Sequence, residues 1–198
     1  GARYSRETNR DREAQLFAGF TSFDLSDSSS DVTPKASLTF EPNDDLTFYA
    51  AYSEGFKSGG FNPSLVDPTA FRPETVKNYE AGVKARLLDR RLQANVAVFH
   101  MDYSDLQVNT LVLQNGIPAI RVVNAAAATI RGLEADFEAR PADAVSVDGS
   151  LSYLDARYDR FLAADNITFT SVDVSGNRMV GAPKFTANLG GNYRTPRG

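Results

Sequence analysis

Few side chains in this sequence are of the kinds that perform chemistry, and none stands in a catalytic or metal-binding spacing. The chain has one histidine, His100, and no cysteine. One imidazole supplies too few ligands for a zinc site, and no Gly-x-Ser-x-Gly nucleophile motif accompanies it. Residues 24–31, rich in Asp and Ser, could offer oxygen ligands to calcium, but they lack the EF-hand spacing and its terminal Glu. We therefore predict no catalytic residue, no metal and no cofactor, and interpret His100 as structural.

The composition indicates a folded protein and argues against several functional classes. Of 198 residues, 42% are hydrophobic and 23% are charged, which is too apolar for a disordered chain. The formal net charge of −4, without a Lys/Arg run, gives no reason to expect a nucleic-acid partner. No window of ~18 apolar residues predicts a transmembrane helix. The chain starts with Gly1 and has at its start neither a methionine nor a signal peptide, so we expect an internal part of a larger protein.

Period-two alternation of apolar and polar residues is the main structural signal. The clearest segment sets Leu133, Ala135, Phe137 and Ala139 against Gly132, Glu134, Asp136, Glu138 and Arg140. Similar alternation runs through residues 35–41, 46–53, 78–87, 92–99, 145–153 and 185–193, and a weaker strand covers about residues 2–8. Such alternation is typical of half-buried strands, and it predicts about eight of them.

Short turns and long loops alternate between these strands. The short joints are residues 42–45, 88–91 and 141–143, and the predicted long loops are residues 9–32, 57–72, 107–119 and 158–183. Tight turns on one side and long loops on the other are typical of an outer-membrane β-barrel. The segments of ~10 residues or more also suit a tilted membrane crossing, whereas soluble strands usually have ~5–6 residues.

Aromatic residues near the strand ends favour the same interpretation, because membrane barrels carry aromatic girdles at both interfaces. These residues are Phe40, Tyr52, Phe56, Phe99, Tyr103, Tyr153, Tyr158 and Tyr193. Alternation alone does not separate a membrane barrel from a soluble β-sandwich, in which apolar faces meet in a dry core. Two alternatives therefore stay open: a soluble sandwich acting as a binding module, and a complete small eight-stranded barrel with a structural or adhesion role.

Five sequence phrases, in order, resemble those of TonB-dependent outer-membrane receptors, the gated barrels that import iron chelates and other scarce nutrients. The phrases are residues 49–62, 71–74 with 78–84, 99–107, 124–126 with 131–134, and 176–178 with 181–185. Their order and spacing are similar to the C-terminal half of that family's barrel, and the resemblance spans about residues 33–193. It implies an all-β fold: an antiparallel transmembrane segment with about eight strands of a larger, 22-stranded barrel.

The resemblance also implies a location, partners and a function. Residues 1–198 are then a partial barrel without the plug domain, placed in the cell outer membrane. The expected partners are outer-membrane lipid, the plug of the same full-length protein, the TonB complex reached through the missing N-terminal part, and a ferric siderophore or similar ligand. The expected function is TonB-dependent uptake of a scarce nutrient, not catalysis.

Candidate site residues follow from that reading. Expected ligand contacts are aromatic, polar or basic loop residues: Lys57, Phe61, Asn62, Phe71, Gln114, Asn115, Phe161 and Phe169. Expected lumen-facing charges are Glu80, Lys84, Glu134, Asp136 and Glu138. Gly82 and Gly132 should lie on the same face, where the missing side chain would admit the plug or a neighbouring backbone.

Overall fold

The structure, a computed structural model, describes residues 1–14, 22–62, 69–114, 117–165, 168 and 170–195. This part of the chain is built from β-strands and turns. The strands are β1 (Ala2–Ala14), β2 (Ser22–Asn43), β3 (Leu46–Lys57), β4 (Gly60–Asn62), β5 (Thr69–Phe71), β6 (Glu74–Leu87), β7 (Leu92–Gln114), β8 (Ile117–Ala142), β9 (Val145–Arg160), β10 (Leu162–Ala164), β11 (Ser171–Asp173) and β12 (Phe185–Tyr193). Among the described residues, no helix is long and apolar enough to cross a membrane.

Eight strands form one antiparallel meander. Their order is β1-β2-β3-β6-β7-β8-β9-β12, and the short pairs β4–β5 and β10–β11 lie within the connections. Within the described residues β1 and β12 are the two edges of this sheet, so the eight strands do not close on themselves. The predicted all-β barrel segment is confirmed, and the alternative of a small closed barrel of eight strands is wrong.

The predicted short turns are confirmed, whereas two predicted long loops are mostly strand. In place of the loop over residues 9–32, β1 and β2 pair from Ala2↔Pro34 to Ala14↔Ser22. In place of the loop over residues 107–119, β7 and β8 pair as far as Gln114↔Ile117. The two hairpins extend beyond the apolar part of the sheet. Beyond that part the membrane does not impose an apolar face, so their strands lack the apolar–polar alternation by which strands were predicted.

The register separates the sheet into two faces of opposite character. Directly paired residues point to the same side, so one row across seven strands contains Leu38, Ala50, Ala81, Val98, Leu133, Tyr153 and Phe185. A row two residues further along contains Phe40, Phe48, Val83, Val96, Ala135, Leu151 and Ala187. We call this side the apolar face. The opposite side, the polar face, includes Thr39, Tyr49, Gly82, Ala97, Glu134, Ser152 and Thr186.

The apolar face has no protein packed over it. Leu38 is 73% exposed, Val98 49% and Leu189 77%. Among the described residues the only hydrophobic side chains that are buried are Leu106, Ala128, Ala156 and Phe161. Exposed apolar patches of this extent mark surfaces that meet another apolar medium. The alternative of a soluble sandwich is therefore wrong, since the dry core between two sheets that it requires is not formed.

A row of three polar aromatic residues and one arginine marks one boundary of the apolar face. Tyr52, Tyr79, His100 and Arg131 are aligned in register across β3, β6, β7 and β8. Ring centroids lie 5.1 Å apart for Tyr52–Tyr79 and 6.2 Å for Tyr79–His100. Arg131 Nε donates a hydrogen bond to His100 Nδ1 at 3.1 Å. We call these four residues the boundary row, and it gives His100 the structural role that was predicted.

The distance from the boundary row to the short turns fits a membrane crossing. Tyr79 pairs with His100, and Leu87 pairs with Leu92 beside the turn at residues 88–91. Each of these two strands therefore crosses the apolar face with about nine residues, as a tilted transmembrane strand needs. Ala135 pairs with Val96, which pairs with Val83, so Ala135 lies midway across this face.

Three glycines lie directly opposite aromatic residues and are covered by their rings. The pairs are Tyr49↔Gly82, Phe99↔Gly132 and Phe137↔Gly149. A Cβ at Gly82 would lie 2.6 Å from the Tyr49 ring. The predicted space at Gly82 is thus filled by an aromatic side chain of the next strand, and not by a backbone or plug. Phe99 lies on the polar face over Gly132, which corrects its assignment to a girdle on the apolar face.

Replacing Gly132 by alanine is expected to destabilise the barrel by about 1 kcal/mol, because the added methyl group overpacks a filled site. Its Cβ would meet the Phe99 ring and would lie 2.9 Å from the Tyr153 carbonyl oxygen, which is backbone and has little freedom to move. Gly191, where a Cβ would meet nothing within 4 Å, is the matched control. Urea unfolding of the two variants measures the difference, and equal stabilities would contradict the packing described here.

Candidate functional site

The predicted lumen charges share the polar face, and most are held by neighbours. Tyr49 donates its hydroxyl hydrogen to Glu80 Oε1 at 2.7 Å, and Asn95 Nδ2 donates to Asp136 Oδ2 at 2.7 Å. Glu138 forms an ion pair with Arg140 across 2.9 Å. The Lys84 ammonium lies 5.8 Å from the centre of the Tyr49 ring, within the range of a cation–π contact.

A shallow cavity of about 280 Å³ opens among these groups. Glu80, Glu134 and Asp136 line it together with Lys84 and Asn95. We call the three carboxylates the carboxylate patch. The buried Oδ1 atom of Asn95 has no hydrogen-bond partner among the described residues. The cavity therefore offers chiefly hydrogen-bond acceptors, and a guanidinium or ammonium group entering the lumen is the complementary chemistry. Among the described residues, no cluster of His, Cys, Asp and Glu could hold a metal ion.

At the long-loop end, Asn62 attaches the connection between β3 and β6 to the β7–β8 hairpin. Its Nδ2 donates to the Val122 carbonyl oxygen at 2.8 Å, and the Val122 N–H donates to Asn62 Oδ1 at 2.7 Å. The carboxamide thus pairs with a strand edge as a neighbouring strand would. Asn62 is only 4% exposed, so these bonds are shielded from water.

Two further carboxamides fasten the same connection. Asn124 Oδ1 accepts the Arg72 N–H at 2.7 Å, and Asn124 Nδ2 donates to the Arg72 carbonyl oxygen at 2.8 Å. Gln107 Nε2 donates to the Ser58 carbonyl oxygen at 2.8 Å, while the Gln107 N–H donates to Glu74 Oε2 at 2.7 Å. We call Asn62, Gln107 and Asn124 the loop anchor.

The loop anchor brings together four of the sequence phrases that carried the family resemblance. Ser58 and Asn62 belong to the first phrase, and Glu74 to the second. Gln107 ends the third phrase, and Asn124 begins the fourth. The positioning roles of Gln107 and Asn124 were missed, although a carboxamide in each phrase was a usable signal because it can both donate to and accept from a backbone.

At Asp105 the side chains of β7 change the face to which they point. The connection between β9 and β12 packs there on the face of the β7–β8 hairpin that lies opposite the loop anchor. Asp105 has φ of +54°, and Tyr103 before it and Leu106 after it belong to the same hydrophobic cluster. Regular alternation would place these two side chains on opposite faces. Leu106, Ala128 and Phe161 form the buried part of this cluster, and Phe161 is 8% exposed. The hairpin is therefore held on one side by hydrogen bonds and on the other by apolar packing.

The fifth phrase fastens the chain as it returns to β12. Arg178 Nη2 donates to the Leu154 carbonyl oxygen at 3.0 Å, and Arg157 Nη1 donates to the Gly176 carbonyl oxygen at 3.1 Å. Gly176 has φ of +77°, a conformation that glycine adopts without strain. This phrase too has a structural role.

A carboxylate in the same connection, that of Asp173, accepts hydrogen bonds from the turn that follows it. The Ser175 hydroxyl and its backbone N–H hold the pKa of Asp173 below its ordinary value by hydrogen bonding to the carboxylate. The ionised carboxylate is therefore favoured in the folded loop. Its contribution to stability is present above the ordinary carboxyl pKa and is lost as the pH falls through the lowered value.

The predicted ligand contacts differ in their exposure, and not all of them lie within the described residues. Lys57 is exposed at the end of β3, and Phe61 is half-buried in β4. Phe71 is half-buried, with its ring over Gly60. Asn62 and Phe161 are buried and face the interior of the loops, so their contact with a ligand is not supported by exposure and stays a prediction. Gln114 lies at the end of β7 and its side chain is not described, while Asn115 and Phe169 lie outside the described residues.

Together, the meander, the apolar face at membrane width and the anchored long connections define a section of an outer-membrane β-barrel wall. The family model described as "TonB dependent receptor-like, beta-barrel" matches residues 1–198. The chain therefore belongs to the TonB-dependent receptor family, as part of its β-barrel, and its location is the outer membrane. The resemblance expected from the five sequence phrases is confirmed.

Known proteins of this family share the sequence and the fold. The chain is 28% identical over 167 residues to the metal-pseudopaline receptor CntO of Pseudomonas aeruginosa, covering 84% of this chain and 21% of that protein. It is 28% identical over 148 residues to the ferrichrome outer membrane transporter/phage receptor of Escherichia coli, covering 75% and 18%. The fold is similar to that of the ferric yersiniabactin uptake receptor FyuA from Yersinia pestis, with a TM-score of 0.75 and 20% identity over 97% of this chain and 28% of FyuA. The chain spans about a fifth of the length of CntO and of the ferrichrome transporter.

Proposed function

We propose that this chain is part of the barrel wall of a longer receptor that takes up a ferric siderophore through the outer membrane, powered by TonB. The observation that carries the proposal is the register itself. One unbroken apolar face spans seven strands, and a charged face lies opposite. In a membrane barrel the first face meets lipid and the second lines the lumen.

The siderophore is proposed from the relatives as a group. Their names give metal-pseudopaline, ferrichrome and ferric yersiniabactin as the compounds that those proteins receive, transport or take up. Each of these compounds is a metal chelate. In this chain the long-loop end would form part of the external mouth. There Lys57, Phe61 and Phe71 are the described candidates for contact with the chelate, offering one cation and two aromatic rings.

The plug and TonB have separate places in this proposal. A plug inside the lumen would present cationic side chains to the carboxylate patch, whose acceptors match guanidinium and ammonium donors. TonB would act through the part of the receptor outside this chain. No reaction on the siderophore is proposed, because the chain's role is to bind the ligand and to enclose its path.

Binding of a chelate panel to the complete receptor tests the siderophore class. The receptor in detergent is titrated with ferric hydroxamate, catecholate and mixed-ligand siderophores, with their iron-free forms, and with cobalamin and a maltooligosaccharide. We expect at least one ferric chelate to bind in preference to its iron-free form. Binding of cobalamin or the sugar alone would overturn the siderophore assignment and leave the barrel assignment intact.

A further inference from the structure

The polar face carries a groove along β2, β3 and β6, beside the carboxylate patch, with which it shares Glu80. Its volume is about 660 Å³. Pockets that hold drug-sized ligands measure ~300–1,000 Å³, so the groove has room for a chelate of that size. Ala51 and Ser53 lie on the middle strand and form the floor, because their side chains are small. We call this feature the hydroxyl groove.

Four hydroxyl groups line the hydroxyl groove, those of Ser37, Thr39, Thr47 and Ser53. None of them forms a side-chain hydrogen bond with another described residue. The buried Oδ1 atom of Asn78, which also lines the groove, has no partner there either. On β9, by contrast, the Ser150 hydroxyl accepts a hydrogen bond from Asn188 Nδ2 at 2.6 Å. A hydroxyl can both donate and accept, so the groove offers unused groups of both kinds to a solute.

The hydroxyl groove also differs from the carboxylate patch in charge. Lys35 and Lys84 balance Glu41 and Glu80 in its lining. Lys35, at the long-loop end, is in register only with uncharged residues of β3 and β6. Hydroxamate and catecholate groups are anionic, and their complexes with Fe³⁺ are neutral or negative overall. The carboxylate patch would repel a negative chelate, whereas the groove would not.

The polar-face side chains of β3 connect the hydroxyl groove to the external mouth. Alternate residues of a strand point to one side, so Lys57, Gly55 and Ser53 follow one another on this face. Lys57 is one of the candidates for contact with the chelate. The residue of β3 between it and the groove is Gly55, which has no side chain to stand in the way.

We propose that the hydroxyl groove is the part of the lumen wall along which the ferric chelate passes. This inference rests on the proposed function, and it separates the route of the chelate from the carboxylate patch, which faces the plug. Several weak hydrogen bonds suit passage, because a solute must be held well enough to enter and weakly enough to leave. The unused hydroxyls supply such bonds in succession along β2 and β3.

Ala51→Trp in the complete receptor tests the route, because the indole fills the floor of the hydroxyl groove. Cells are supplied with each ferric siderophore of the panel above, loaded with radioactive iron, and surface binding and uptake are measured separately. We expect the maximal rate of uptake to fall about tenfold, with the dissociation constant at the surface unchanged. Thr186→Trp adds the same ring to the polar face outside the groove and should change neither. Normal uptake in Ala51→Trp, or an equal loss in Thr186→Trp, would overturn the inference.

Ser53→Cys tests the same groove after folding is complete, since a thiol is close in size to the hydroxyl that it replaces. This chain has no cysteine, and the unsubstituted receptor is the control for thiols elsewhere. Cells taking up the chelate are treated with a bulky maleimide, which is expected to modify Ser53→Cys and to stop uptake. Thr186→Cys, treated in the same way, should continue uptake.

Two outcomes of the maleimide experiment would overturn the inference. One is normal uptake by Ser53→Cys receptor that mass spectrometry shows to be modified, and the other is a thiol that the maleimide does not reach during uptake. Either result, with normal uptake by the wild-type receptor, leaves the proposed function intact. A wild-type receptor that takes up no ferric siderophore of the panel would contradict the proposed function and this inference together.

Discussion

Ala135→Arg is expected to destabilise the receptor by ~2–4 kcal/mol in a lipid bilayer, whereas Glu134→Arg should cost about 1 kcal/mol or less. Ala135 lies on the apolar face midway between the boundary row and the short turns, where an arginine would meet hydrocarbon. Glu134 is its neighbour in sequence and points to the polar face. There an arginine would lie near Glu80 and Asp136, the remaining carboxylates of the patch.

The pair of substitutions is its own control, because the two variants receive the same side chain at adjacent positions. Unfolding by urea in vesicles gives the free energies of unfolding directly. A cost at Glu134 equal to that at Ala135, or greater, would mean that the two faces have been assigned to the wrong environments. Repeating the experiment in detergent adds information, since a thinner and more fluid apolar layer should reduce the cost at Ala135 only.

Asn62→Leu should release the connection between β3 and β6 from the hairpin, at a local cost of about 3 kcal/mol. The Val122 N–H and carbonyl oxygen would both lose their partner, and an unpaired buried polar group costs about 1–3 kcal/mol. Hydrogen exchange at the Val122 amide reports this opening, and we expect its protection to fall about a hundredfold.

Asn109→Leu is the matched control for that measurement. Asn109 pairs with Val122 in the hairpin, but its exposed side chain makes no hydrogen bond to another described residue. Its replacement should leave protection at Val122 nearly unchanged. Full protection of this amide in Asn62→Leu would show that the connection is held in place by something other than the anchor.

The strands could be predicted where they cross the membrane, because the membrane imposes apolar–polar alternation there. The parts of the strands outside the membrane could not be predicted in this way. Along Leu133–Ala139 every second side chain meets an apolar medium, so alternation reveals the strand and its two faces. In the outer parts of the β1–β2 and β7–β8 hairpins the membrane imposes no such pattern, and strand pairing there depends on backbone hydrogen bonds that the amino-acid composition does not reveal. These parts were therefore predicted as loops.

The candidate site was predictable as a set of regions but not residue by residue. The charges at Glu80 and Glu134 follow from alternation within strands, so their common face was foreseeable. Asn62 and Phe161 were chosen because they are polar or aromatic residues within loops, yet both point inward. Their direction depends on contacts with β8 and with Leu106, which are far away in sequence. The change of face at Asp105 depends on one backbone angle and had no signal in the pattern.

The measurement that tests the account most directly is energised iron uptake by cells carrying the complete receptor. Cells are supplied with the radioactive ferric siderophore that binds best, and uptake is compared with and without a functional TonB. The account predicts that cells with TonB accumulate iron, and that cells without it bind the chelate at the surface and accumulate none. Equal accumulation without TonB, from a correctly folded receptor in the outer membrane, would contradict the proposed mechanism.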